Sequence, residues 1–317
     1  MAKIGYFLSC EQYTPAELID QAKRAEDAGF EALWISDHFH PWNDEQGQSA
    51  FVWGVLGALS QVTSLPVTTA VTCPLIRMHP AIVAQAAATA AVQLNGKFVL
   101  GVGTGEALNE LVLGDHWPAP AVRLDMLEEA IEVIRRLHTG KKISHRGEHY
   151  DVEEARIYTL PDQPVPIYVS AFGPKAVELA ARVGDGYCTT MPDAELISKF
   201  RQDGGGDKPV QAGTKVSWDT DADRALEVAH RLWANEQLPG RLAQTLPTPM
   251  DFEDAMTLVP REKVAESVTC GSDPDKHAAQ VRRYLDAGAD EVYVQQVGPD
   301  IEGFFTAWSK DVLPQVR

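Results

Sequence analysis

Cysteine is scarce in this 317-residue chain. Cys10, Cys73, Cys188 and Cys270 lie far apart and form no C-x-x-C pair, which argues against a disulfide framework or a thiolate zinc site and fits a reducing compartment. Long apolar runs are missing too. The most apolar stretch, 81–94, is interrupted by Gln85, Thr89 and Gln93, well short of a membrane span. The N-terminus, Met-Ala-Lys-Ile-Gly-Tyr-Phe-Leu, has no apolar segment long enough for a signal peptide. Positive charge is in deficit, with 28 Lys+Arg against 45 Asp+Glu and a formal net charge of −17. Nucleic acids and anionic membranes both need a cationic face, so neither is an expected partner. A small anionic ligand needs only a few local donors and stays compatible with this balance. These absences lead to the expectation of a soluble cytoplasmic protein that acts on small molecules.

What the chain does have is apolar content and rhythm. Hydrophobic residues make up 44% and charged residues only 23%, enough to bury a substantial core. Short β-branched runs alternate with amphipathic stretches almost from end to end. Strands are expected at 4–8, 32–36, 67–72, 98–103, 167–170, 187–190, 213–218 and 291–295. Helices are expected at 15–28, near 51–63, and at 80–94, 123–139, 174–183, 222–236, 252–258 and 275–287, with a last one through 304–313. The first helix has Thr14 as N-cap, Pro15 in its first turn and Gly29 as its stop. A small hairpin around Arg146-Gly147 interrupts the alternation. Eight strand–helix units without a Pro/Ser linker predict one (β/α)₈ barrel over residues 1–317, with an insertion at about 237–263.

Chemically capable residues cluster at the expected strand ends, the rim where barrel active sites lie. They include Glu11-Gln12, Ser36-Asp37-His38-Phe39-His40-Pro41-Trp42, Thr72-Cys73-Pro74, Gly103-Thr104-Gly105-Glu106-Ala107-Leu108-Asn109-Glu110 and Phe172-Gly173-Pro174. His38-x-His40 is half of a metal site at most, and no histidine between Asp151 and Asp221 supplies the rest. No metal is therefore expected, and acid–base work by a histidine beside Asp37 and Trp42 fits better than a purely structural pair. Gly101-x-Gly103-x-Gly105 lacks the G-x-G-x-x-G spacing of a dinucleotide fingerprint. Its glycines mark a tight turn whose backbone can approach a flat ring or a phosphate. Glu11, Glu106 and Glu110 carry two readings, catalytic carboxyl or helix-start charge complementing the dipole. Cys73 beside Pro74 reads as a buried thiol with no adjacent base.

The two longest of these motifs, 36–42 and 101–110, make the chain similar to the deazaflavin-dependent glucose-6-phosphate dehydrogenases, a family within the luciferase-like (β/α)₈ barrels that use coenzyme F420. Glu11-Gln12, Thr72-Cys73-Pro74, Val165-Pro166-Ile167-Tyr168 and Ser272-Asp273-Pro274-Asp275 extend the resemblance over nearly the whole chain. It implies that His38, Trp42 and Glu106 form the catalytic group with Glu11 close by. A substrate hydroxyl would lose its proton to the histidine while its carbon delivers hydride to C5 of the deazaflavin. It further implies that Asp37, Thr104, Gly105, Asn109 and Gly173 hold the coenzyme, that a cis peptide at Ala70-Val71 supports its ring, and that the protein is a homodimer.

The departures from the family concern coenzyme and substrate. The family has threonine where Cys73 stands and Gly-Gly where Phe172-Gly173 stands. Thr190 matches its sugar-phosphate threonine, but the two lysines and one arginine of that phosphate clamp align with Asp193, Asp254 and Ser267. A carboxylate about 4 Å from a phosphate charge costs about 4 kcal/mol at an effective dielectric of 20. The expected activity is thus an F420-dependent oxidoreductase acting on a CH–OH or carbonyl carbon without a phosphate. An FMN-dependent luciferase-like monooxygenase is the alternative, with a metal-dependent barrel hydrolase and a non-catalytic coenzyme carrier behind it.

Overall fold

The computed structural model describes residues 2–317. In chain order the elements are β1 (Lys3–Leu8), α1 (Pro15–Ala28), β2 (Leu33–Ile35), α2 (Val52–Leu59), β3 (Val67–Thr69), α3 (Pro80–Gln93), β4 (Phe98–Val102), α4 (Ala107–Glu110), α5 (Pro120–Leu137), the hairpin β5 (Ile143–Arg146) and β6 (Asp151–Ala155), then β7 (Ile167–Ser170) and α6 (Pro174–Val183). There follow β8 (Gly186–Thr189), α7 (Ala194–Phe200), β9 (Val210–Ser217), α8 (Ala222–Trp233), α9 (Leu242–Thr245), α10 (Pro249–Met256), α11 (Arg261–Ala265), β10 (Thr269–Cys270), α12 (Pro274–Asp286), β11 (Glu291–Gln296), α13 (Ile301–Ala307) and α14 (Leu313–Val316). The parallel strands run β9-β11-β1-β2-β3-β4-β7-β8, and pairing of β8 with β9 closes them into an eight-stranded barrel. β10 adds two residues to the other edge of β9.

Alternation along each strand sorts side chains between two cores. Val292 and Val294 face outward into the layer under the helices. Phe7, Trp34, Tyr168, Cys188 and Tyr293 fill the barrel interior. Trp34 stacks on Tyr293 with centroids 4.7 Å apart, and its indole N–H donates to Gln211 Oε1 at 2.8 Å. The lower barrel is therefore a packed plug, which leaves the strand ends as the open face.

Local signals set several boundaries. Thr14 caps α1 in a full capping box with Glu17, and Gly29 ends the helix in the left-handed region at φ 95°. α5 starts three residues earlier than expected because Pro120 takes the first turn. β9 starts at Val210 rather than 213, since its polar Gln211 points into the barrel and disguised the strand. α7 went unanticipated. It is seven residues long, capped by Asp193 and followed by a kink at Gly204.

Between α8 and β10 the chain leaves the barrel pattern. Leu232, Trp233, Phe252, Met256, Val259 and Val264 build a second apolar cluster there, against which Trp42 packs. This segment leans over the strand ends.

Candidate active site

β1 ends in Ser9, and the turn after it brings Glu11 back over the barrel. Glu11 is 3% exposed and accepts from Ser9 Oγ at 2.8 Å and Ser36 Oγ at 2.6 Å. Its other oxygen lies 3.4 Å from His38 Nε2. Burial pushes the Glu11 carboxyl up, but the facing His38 and the two serine hydroxyls outweigh it. The group sits below its ordinary value and is a carboxylate.

His38 follows β2. Its Nδ1 lies 3.0 Å from Asn109 Nδ2 and 3.2 Å from the His40 carbonyl. The orientation of Asn109 is set by its own bonds, because Oδ1 accepts the backbone N–H of Phe39 at 2.9 Å and of His40 at 3.1 Å. The amide N–H therefore faces the histidine. Trp42 places its ring 5.0 Å from His38 on one side and 5.0 Å from Phe252 on the other. The Trp42 backbone N–H donates to Gln46, whose amide with that of Asn43 anchors the loop on the Leu232 carbonyl. Glu106 stands half-exposed just before the one-turn helix α4 and makes no side-chain cap, its Oε2 at 3.5 Å from Asn109 Nδ2. Glu11, His38, Trp42, Glu106 and Asn109 thus share one mouth. His40 does not join it, for its Nδ1 turns to the Leu108 carbonyl at 2.9 Å.

The expected coenzyme residues divide into two groups. The Ala70–Val71 peptide is cis, and the pair lies half-buried over the interior aromatic cluster. Beside it, a Cβ on Gly101 would collide with the Thr69 carbonyl, and one on Gly103 would come within 2.8 Å of Val71. The glycine motif is thus needed first for close packing of strands. Gly105 has φ 67° and leaves room for Cys73 Sγ and Glu110. Thr104 and Gly105 are half-exposed. Gly173 starts α6 with no side-chain cap and no atom within 4 Å of the place of a Cβ. Phe172 beside it is 48% exposed. Ala70, Val71, Thr104, Gly105, Phe172 and Gly173 therefore present surface to a ligand.

Asp37, Cys73 and Asn109 do not, or do so sparingly. The Asp37 side chain has no exposed surface, being held by Thr72 Oγ1 at 2.8 Å and Arg77 Nη2 at 2.9 Å. Burial first, then Glu110 and Glu106, push the Cys73 thiol well up, which keeps it a neutral packing group. Asn109 is 2% exposed and its amide is spent on the 38–40 turn.

The residues expected at the substrate, Thr190, Asp193, Asp254 and Ser267, have the following places in the structure. Only Thr190 is exposed at a strand end. Asp193 is the N-cap of α7, accepting from Glu195 and Leu196 N–H groups at 3.0 Å. Asp254 lies two residues from Phe252, hence on the opposite face of α10 from the Trp42 contact, and is exposed. Ser267 is paired with Gln237 at 2.8 Å. Asp193 is thus engaged by a helix end, and Asp254 lies on the face of α10 away from Trp42.

Two largely buried charged residues near the strand ends had drawn no attention in the sequence. Lys215 points inward from β9, 8% exposed, stacked 4.2 Å from the Trp233 ring and paired with Glu236. Arg77, in the turn after β3, spans Asp37 and Glu110. Their partners are distant in sequence, so spacing held no sign of them. Strand alternation at Gln211, Gly213 and Lys215 was the one available cue.

The molecule is a closed eight-stranded parallel barrel with a histidine facing a buried carboxylate at its strand ends. The profile of the "Luciferase-like monooxygenase" family matches residues 2–291, and the chain belongs to that family. Within it, the chain is 37% identical to the F420-dependent glucose-6-phosphate dehydrogenase of Amycolatopsis mediterranei (strain U-32), covering 100% of this chain and 99% of that one. The corresponding protein of Mycobacterium avium (strain 104) is 36% identical over 99% and 98% of the two chains. Among solved structures, an F420-dependent secondary alcohol dehydrogenase in complex with an F420-acetone adduct is 34% identical with a TM-score of 0.93, over 100% and 99% of the chains.

Proposed function

We propose that the protein is a coenzyme F420-dependent oxidoreductase that interconverts a CH–OH group and a carbonyl. One observation carries this reading: His38, buried Glu11, Trp42 and Glu106 converge beside the Ala70–Val71 shelf, in a chain alike over its full length to F420-dependent dehydrogenases. The residues present suit such a coenzyme. A flat ring would rest on the apolar shelf of Ala70 and Val71. A phosphodiester would take the free N–H groups at the start of α6, where Gly173 leaves open space.

When bound, the deazaflavin supplies the carbon that takes or gives hydride. His38 manages the substrate proton at Nε2, the nitrogen turned toward Glu11. Its Nδ1 has both a donor, Asn109, and an acceptor, the His40 carbonyl, within reach, so the ring supports its proton on either nitrogen. In alcohol oxidation bare Nε2 accepts the hydroxyl proton while Nδ1–H rests on the His40 carbonyl. In the reverse direction Nε2–H returns the proton to the carbonyl oxygen. Glu11 stays ionised and stabilises the imidazolium. Glu106 adds a second carboxyl on the coenzyme side. Trp42, backed by Phe252, excludes water from the reacting carbon.

The substrate read here is a neutral alcohol or free sugar. The segment Thr189–Asp193 carries no cation, and the cations supplied by β9 and the turn after β3, Lys215 and Arg77, already face carboxylates. A phosphate dianion would find no unmatched charge among them. We read the whole chain as one barrel with the segment at about 237–263 inserted over its mouth. We also read it as a cytoplasmic homodimer, joined through α2 and α3. Neither helix carries a charged residue, and they border a groove of about 280 Å³ lined by Phe51, Trp53, Met78 and Ile82.

Titration with F420 and with FMN, followed by fluorescence quenching, tests the coenzyme. Preference for F420 is expected; preference for FMN overturns the reading. Loss of the oxidised coenzyme's absorbance band, screened over sugar phosphates, free sugars and secondary alcohols, then identifies the substrate.

A further inference from the structure

Three strand ends meet under the mouth, and one side chain touches the acids of two of them. Arg77 comes from the turn after β3 and is 7% exposed. Its Nη2 donates to Asp37 Oδ1 at 2.9 Å, and Asp37 is the residue before His38. Its backbone N–H donates to Glu110 Oε2 at 2.9 Å and its Nε lies 3.5 Å from Glu110 Oε1. Glu110 is the residue after Asn109. Asn109 in turn holds the 38–40 turn by two backbone N–H groups and faces His38 Nδ1. The contacts close a ring: Arg77, Asp37, His38, Asn109, Glu110 and back to Arg77.

We propose that Arg77 is a positioning residue for His38, setting the direction and tautomer of its imidazole from below. The guanidinium touches neither the mouth nor the histidine, and it acts through the two acids. The fork geometry suits this task, since one planar group reaches carboxylates on two different loops. A lysine would satisfy one of them. Asp37 and Glu110 are fully enclosed, so without the cation they would keep only neutral donors, the Thr72 hydroxyl and backbone N–H groups, and both turns would have to move to hydrate them. Movement of either turn takes Asn109 away from Nδ1 or His38 away from Glu11. Burial already holds the Glu110 carboxyl above its ordinary value, with Arg77 pulling the other way.

The turnover test rests on the oxidoreductase reading, so a second measurement is chosen that does not. In coenzyme-free protein, ¹⁵N NMR of the His38 ring reports the tautomer and its titration. Wild-type protein is expected to show Nδ1 hydrogen-bonded by the Asn109 amide. In Arg77→Met that signature and the His38 titration midpoint should change, with Arg77→Lys intermediate. With coenzyme and substrate, kcat should fall about 30-fold or more in Arg77→Met and partly recover in Arg77→Lys. The pH profile of kcat/KM should be displaced, while the coenzyme dissociation constant stays within about threefold. Should Arg77→Met fail to fold, Glu110→Gln keeps an acceptor for the Arg77 N–H and should show the same displacement in smaller measure. An unchanged His38 resonance and pH profile in a folded variant would overturn the proposal. So would a loss confined to coenzyme affinity, which would assign Arg77 to binding. A changed NMR signature without turnover on any substrate would uphold Arg77 and sink the oxidoreductase reading.

Discussion

Glu11 shows how a single residue is made functional by its surroundings. A carboxylate at 3% exposure survives because two serine hydroxyls and a histidine compensate its desolvation. Its folded pKa lies below the ordinary 4.5. The stability from its ionisation is therefore present above about pH 4.5 and lost as pH falls through the folded value. Glu11→Gln should lower kcat by about 10²-fold, the lower range for loss of acid–base assistance, measured by steady-state kinetics. In denaturant melts, the stability difference between wild type and this variant should shrink on acidification through that region. An unchanged kcat would remove Glu11 from the proposed chemistry. That Glu11, His38, Trp42 and Glu106 share one rim was legible because barrel strand ends do, while their selection from that rim came from the motif resemblance. Arg77 and Lys215 were not, because their roles exist only through partners brought in by other strands.

At the scale of elements, the contact between β3 and β4 decides the shape of the shelf. Gly101 lies against the Thr69 carbonyl and Gly103 against Val71, so the strands approach more closely than any side chain permits. Gly101→Ala should destabilise the protein by about 1–3 kcal/mol, as overpacking does, with a lower denaturation midpoint. It should also weaken coenzyme binding, because relief of the clash displaces Ala70–Val71. A variant with wild-type midpoint and coenzyme affinity would contradict this. The sequence marked these glycines as a place of close approach but left open what approaches. The answer is first another strand. The short helices between α8 and β10 were the least legible elements. Their residues pack on one another and on Trp42 rather than repeating a face with period 3.6.

For the whole molecule, the distribution of charge separates faces that the net value of −17 cannot. Most outer helices carry acids and bases toward solvent, whereas α2 and α3 carry none. Ile82 is 56% exposed and Phe51 60% exposed at that groove, an apolar surface of the kind that marks an interface. Ile82→Glu should weaken self-association by more than tenfold, about 1.4 kcal/mol, seen by light scattering as a shift from dimer to monomer at micromolar concentration. A wild-type protein that is monomeric at all concentrations would refute the dimer, and an unaffected dimer in the variant would move its interface elsewhere.

By itself the sequence determined the barrel and the rim. Hydrophobic periodicity, capping residues and strand-end clustering are local properties, and the eight strand–helix units follow from them. Motif resemblance added an expectation of which residues meet a coenzyme. Only the tertiary structure decided which of the acids are free. Asp37 and Glu110 share the single cation of Arg77, and Asp193 caps a helix end. Asp254 faces solvent, and Glu11 alone of the buried acids looks into the mouth at His38. The reason is physical. A carboxylate's behaviour is set by the charges and donors within a few ångströms, and in a closed barrel those come from strands that lie far apart in the chain.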